Sequence, residues 1–230
     1  MSLALGDNRS SDWMAFCVRV VQVLVFLFIM QISISVRADE PPVPAGLDPG
    51  GIAVAVLGTG IDYTTQNIAV KLARDGEGDL IAWDFADGDT RPYAASGLSN
   101  RHAADLVNAS DKIRLIIVKE QSGDPVAAGR MAAFTAQTPA RMVYFPDAMQ
   151  RKDWPFFKEA VALFKEHLFI VVGHDAQKAK LSTYANLVIA APGPQQRPNE
   201  NAVIALAQAS QLLALKPSLS AADLKAAMQR

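Results

Sequence analysis

The chain has 230 residues, half of them hydrophobic, with 22 Lys+Arg against 23 Asp+Glu and a formal net charge of −1. That length fits one domain of ordinary size plus an extension, and so apolar a composition excludes a disordered tail. Balanced charge with no run of one sign excludes a nucleic-acid binder, which needs a basic stripe to neutralise phosphate. Cys17 is the only cysteine, so an internal disulfide and a Cys-ligated zinc cluster are excluded. His102, His167 and His174 are widely spaced and show no metal-ligand pattern, and no metal or cofactor is expected.

Residues 1–38 read as a targeting segment. Val20 to Val36 is almost wholly apolar, with Arg9 and Arg19 ahead of it and small residues at Val36 and Ala38 before Asp39. The pattern predicts export and cleavage after Ala38. An uncleaved anchor through Val20–Val36 is the other reading, although about 17 residues is the lower limit for spanning a bilayer. Residues 39–50 form a Pro-rich lead-in that is too rigid and polar for a core element. The domain proper is expected over residues 51–230.

The run IAVAVL (52–57) predicts a strand buried on both faces, and further apolar runs follow at 113–118, 142–145, 168–172 and 187–191. Helical patterns lie between them at about 101–109, 126–137 and 155–167. Strands alternating with helices predict a three-layer α/β domain with a mostly parallel sheet. Two more helices are expected at about 200–215 and 220–229. The first, AVIALAQASQLLAL after Asn199-Glu200, is apolar nearly all round and reads as buried.

Ligands of parallel α/β sheets bind at the carboxyl ends of the strands, which directs attention to Leu57-Gly58-Thr59-Gly60-Ile61-Asp62-Tyr63. A dinucleotide fingerprint with Asp84 as the later acid is the weaker reading, because Tyr63 occupies the third glycine position. VAVLGTGID (54–62) instead resembles the first motif of the subtilisin-like serine proteases, with Gly58 where that family has its triad Asp. Further resemblances follow in the family's order. DFADGDTRP (84–92) precedes NRHAADLV (100–107) at the His motif. FIVVGHDA (169–176) stands at the oxyanion-hole segment, followed by the strand YANLVIAAPG (184–193). AQASQLLALKPSLSAADLKAAM (207–228) is similar to the family's C-terminal helices.

The resemblance covers about residues 51–229 and implies a subtilisin-like fold. It also implies loss of the triad, which needs Ser, His and Asp together. His102 matches the His, Gly58 replaces the Asp, and Glu200 falls at the Ser with Asn199 and Asn201 beside it. His174 stands at the oxyanion asparagine. Asp62 and Asp105 are alternative acids for His102, and Ser96, Ser99, Ser182 and Ser210 carry no nucleophile motif. Val143–Asp147 corresponds to the family's peptide-pairing edge, where Pro146 removes one N–H. The chain is therefore expected to be a non-catalytic binding, scaffold or regulatory protein outside the cytoplasm. A hydrolase built on His102 with a substitute acid and nucleophile is the alternative. A protein partner is expected, with Phe85, Tyr93, Trp154 and Phe156 as exposed loop anchors.

Overall fold

The computed structural model describes residues 40–148, 151–173, 181, 183–195 and 199–229. The chain divides into two compact units, Met1–Glu40 and Pro41–Arg230, and the fold is that of the second. Residues 1–39, with Cys17 and Val20–Val36, together with His174 and Ser182, lie outside the described residues. Among the described residues no helix is long and apolar enough to cross a membrane.

In chain order the elements are β1 (Ile52–Gly58), α1 (Gln66–Ala69), β2 (Ala82–Asp84), α2 (Leu98–Ala109), β3 (Ile113–Lys119) and α3 (Ala127–Thr135). They continue with β4 (Met142–Tyr144), α4 (Trp154–Leu163), β5 (Leu168–Val172), β6 (Leu187–Ala190), α5 (Glu200–Leu215) and α6 (Ala221–Met228). The strands form one sheet in the order β2-β3-β1-β4-β5-β6. Every described pairing is parallel. The α/β class with a parallel sheet read from the sequence is the observed one.

The two-residue period of the strands sorts their side chains into two cores. Val54, Val56, Leu115, Ile117, Tyr144 and Ile170 face one way, against α2, α5 and α6. Ala53, Ala55, Ile116, Val118, Val143 and Phe169 face the other, against α3 and α4. The result is three layers, helix–sheet–helix. On the α4 side Phe157 is fully buried, with its ring centroid 5.4 Å from Phe145 and 5.5 Å from Phe169 in edge-on contacts.

Two expectations change. First, α5 is not buried all round. Ala202, Leu206, Ala209 and Leu213 are buried against the sheet, whereas Ile204 is 56% and Leu215 79% exposed. An Ala-rich helix that is apolar on every side gives no pattern from which to choose the covered face. Second, Val143–Asp147 is not an edge. β4 lies between β1 and β5, the Phe145 N–H donates to Ile170 O at 3.1 Å, and Pro146 O accepts from Val172 N at 3.2 Å. Among the described strands the edges are β2 and β6. The lead-in is hydrogen-bonded to the domain. Tyr63 Oη donates to Pro41 O at 2.8 Å, and Arg74 donates to Gly78 O at 2.7 Å and Pro44 O at 2.5 Å. Asp48 accepts from Arg74 N at 2.9 Å and pairs with Arg114. That guanidinium and those N–H groups outweigh desolvation and lower the Asp48 pKa.

Candidate functional site

β1 ends at Gly58, and the turn that follows brings the first turns of α2 against it. A Cβ on Gly58 would stand 2.4 Å from Ser99 Oγ, too close for real atoms. Ser99 is buried, its Oγ accepts from Thr59 N at 3.0 Å, and it lies 3.2 Å from Thr59 Oγ1. The volume into which a side chain at position 58 would project is therefore filled by a hydrogen-bonded hydroxyl. Next in the turn, Gly60 adopts φ 88°, the left-handed region that favours glycine, and a Cβ there would meet Pro92 O at 2.7 Å. Asn100 accepts from Asp62 N at 2.5 Å and donates to Ala94 O at 3.0 Å, pinning α2 to this turn.

One α2 turn further on, His102 points into the core at 4% exposure, its ring edge-on to Tyr144 with centroids 5.7 Å apart. The side-chain amide of Asn199, the N-cap position just ahead of α5, meets His102 Nε2. Asn199 makes no side-chain cap bond to its own helix, so its amide serves the imidazole instead. Burial lowers the His102 pKa, against smaller upward effects of Asp147 and Asp105, so the ring is neutral near pH 7 and accepts at Nε2. Tyr144 is fully buried and its Oη has no hydrogen-bond partner among the described residues. Burial first, then the charges of Asp147 and Asp105, pushes the phenol pKa far up and keeps it protonated.

Gly58, His102 and the start of α5 thus converge at the carboxyl ends of β1 and β4. The residue that reaches His102 is Asn199, one position before the Glu200 singled out by sequence spacing. Glu200 stands in the acidic first turn of α5. Of the alternative acids, Asp62 is engaged by Thr64, whose N–H and hydroxyl donate to it at 3.0 and 2.5 Å, and Asp105 is exposed on α2. Ser210 bonds Ser110 at 2.9 Å and donates to Ala207 O at 2.7 Å, while Ser96 is exposed. Among the described residues no serine or threonine hydroxyl hydrogen-bonds to His102.

The aromatic anchors are repositioned by the structure. Phe85 lies in an aromatic group with Trp83 and Phe134, under the Arg130 guanidinium at 4.9 Å. Tyr93 stands edge-on to Tyr63 at 5.2 Å, and Trp154 lies over Phe157 at 5.6 Å. All three are partly buried and cover the two cores. Phe156 alone of the four is exposed, at 43%.

Sequence reading missed the ion pairs along the same rim. Lys119, the last residue of β3, places Nζ 2.6 Å from Asp84 Oδ2 and 3.4 Å from Asp87 Oδ2, and these carboxylates raise its pKa against desolvation. Arg151 joins Glu120 at 2.6 Å and Asp153 at 2.8 Å. The spacing of these charges along the chain carries no mark of their pairing.

No protein-family profile and no curated protein matches the chain. Solved structures do. A cold adapted subtilisin-like serine proteinase is similar at 10% identity and a TM-score of 0.48, over 81% of this chain and 84% of that one. A lanthipeptide protease is similar at 12% identity and 0.46, over 64% and 50%. An epidermin leader peptide processing serine protease from Staphylococcus aureus is similar at 10% identity and 0.38, over 58% and 41%. With identities this low and every score below one half, none of these assigns a reaction to this chain.

Proposed function

We propose that this chain is a non-catalytic relative of the subtilisin-like serine proteases, exported from the cytoplasm and acting by binding a protein partner. Export rests on the apolar Val20–Val36 segment and Val36-x-Ala38. The family rests on the ordered run of motifs from VAVLGTGID to the C-terminal helices. In support, Gly58 lies against Ser99, three residues before His102 in α2, and Asn199, the neighbour of Glu200, meets His102 Nε2.

The observation that carries the inactive reading is the surroundings of His102. Acyl transfer by a triad needs Nε2 on the nucleophile hydroxyl and Nδ1 on a buried carboxylate. Here Nε2 meets the Asn199 amide, and position 58 has no side chain, the adjoining space being taken by Ser99 Oγ. Removing one triad member costs roughly 10⁴- to 10⁶-fold in the active subtilisin that serves as a general reference, and two are replaced here. Treatment of the purified protein with a fluorescent fluorophosphonate should leave it unlabelled. Stoichiometric labelling that disappears in His102→Ala would establish the alternative, a hydrolase with a substitute nucleophile.

A further inference from the structure

We infer that the outer face of α5 is a self-association surface, on which two copies of this chain pair their α5 helices antiparallel about a two-fold axis. This goes beyond the binding role proposed above and is independent of His102.

The 16-residue helix α5 carries one charged residue, Glu200 in its first turn, and none from Asn201 to Leu215. Its inner face is buried through Ala202, Leu206, Ala209 and Leu213, and α2 and α6 pack beside it. Its outer face is open. Ile204 is 56% and Leu215 79% exposed, with Gln208 and Gln211 exposed between them. At about 3.6 residues per turn these four positions form a narrow stripe along the helix, with Ile204 and Leu215 about three turns apart. The exposed face of a helix on a globular domain ordinarily carries charge. Depletion of charge is instead the mark of an interface core.

The choice of a second copy follows from the charge pattern and its symmetry. An uncharged face disfavours a charged counterpart, whose ions would lose water and find no partner. It fits a counterpart that is uncharged over the same length, apolar at both ends and amide-bearing between, and α5 itself is that counterpart. The order Ile204, Gln208, Gln211, Leu215 reads the same chemically from either end, and the two glutamines lie symmetrically about its midpoint. Antiparallel pairing therefore sets Ile204 against Leu215 of the second copy and Gln208 against Gln211 of the second copy. Each contact is made twice, as an isologous interface requires. Each glutamine amide both donates and accepts, so the facing pair can satisfy itself. Ala207, partly buried, and Ala214, exposed, flank the stripe on one side and leave room for the helix axes to approach to about 8–10 Å. Beside Leu215, Leu212 and Leu219 line a cleft of about 330 Å³ that extends the apolar surface toward α6. One helix face with this margin is a small contact, below about 1,200 Å² in total, so the dimer is reversible and forms in the micromolar range.

The test is sedimentation of the purified chain at concentrations from about 1 to about 500 μM, which spans that range. The wild type should pass from monomer to dimer. Ile204→Lys and Leu215→Glu should each weaken self-association at least about tenfold, since either sets a charge against an apolar side chain, while melting as the wild type does. Mixed in equal amounts, the two variants should recover a dimer. The new lysine of one copy then meets the new glutamate of the other, and one Ile204–Leu215 contact remains. Misfolding, or association through another surface, would not give that recovery. A wild type that stays monomeric across this range, a dimer unchanged in either variant, or variants that fail to associate when mixed would overturn the inference. So would a monomer that floats with anionic phospholipid vesicles and ceases to do so in Leu215→Glu, the result expected if the face rests on a membrane instead. Peptidase activity in the wild type would refute the non-catalytic reading and leave the self-association surface standing.

Discussion

Gly58 and Ser99 should be energetically coupled, and the size of the coupling follows from their contact. Gly58→Ala introduces a Cβ 2.4 Å from Ser99 Oγ. Ser99 is only 5% exposed, so its hydroxyl has little room to swing away, and leaving also abandons the Thr59 N–H it accepts at 3.0 Å. Overpacking of about 1–3 kcal/mol and an unpaired N–H of about 1–3 kcal/mol give a destabilisation of about 2–6 kcal/mol. In a domain of this size that corresponds to a melting point lowered by about 5–25 °C. Ser99→Ala alone should cost about 1–3 kcal/mol, because it too leaves the Thr59 N–H without its acceptor. Ser99 Cβ lies an ordinary 3.7 Å from the added Cβ. The Gly58→Ala penalty should therefore fall below about 1 kcal/mol in the Ser99→Ala background. Urea unfolding of the four proteins measures the cycle. Additive costs would refute the claim that the hydroxyl occupies the side-chain space of position 58.

Other consequences are separable. His102 and His167 both have pKa values lowered by burial, so the unfolded chain binds the extra protons. Stability should be complete above about pH 6.5 and fall as pH drops from there toward the folded-state values, and His102→Gln should flatten that loss in melting curves between pH 7.5 and 5. Tyr144→Phe removes a buried hydroxyl with no hydrogen-bond partner among the described residues, and should raise the unfolding free energy by up to about 1 kcal/mol rather than lower it. Lys119→Met leaves the fully buried Asp84 carboxylate without its cation, and should cost about 3–5 kcal/mol in urea unfolding, most of it recovered by adding Asp84→Asn.

The sheet was legible because parallel strands buried on both faces leave continuous apolar runs, as in β1, β3 and β5. β2 was not, since Ala82–Asp84 is short and ends in a carboxylate that is buried only because Lys119 reaches it. Sequence spacing brought attention to Gly58, His102 and Glu200, but not to the neighbour of Glu200 that meets the imidazole. Asn199 is singled out only by its contact with the imidazole. Ser99 looked undistinguished because its partner Thr59 is 40 residues away. Phe85, Tyr93 and Trp154 sit in loop or helix-start sequence that reads as exposed, yet each closes over an apolar layer. Aromatic identity alone does not distinguish a lid on the core from an anchor for a partner.

The central claim, that His102 is a structural remnant and not a general base, is tested most directly by casein hydrolysis with wild-type and His102→Ala protein purified in parallel. The account predicts no cleavage above the buffer rate from either protein, with His102→Ala differing only in stability. Cleavage by the wild type that is lost in a folded His102→Ala protein would contradict it.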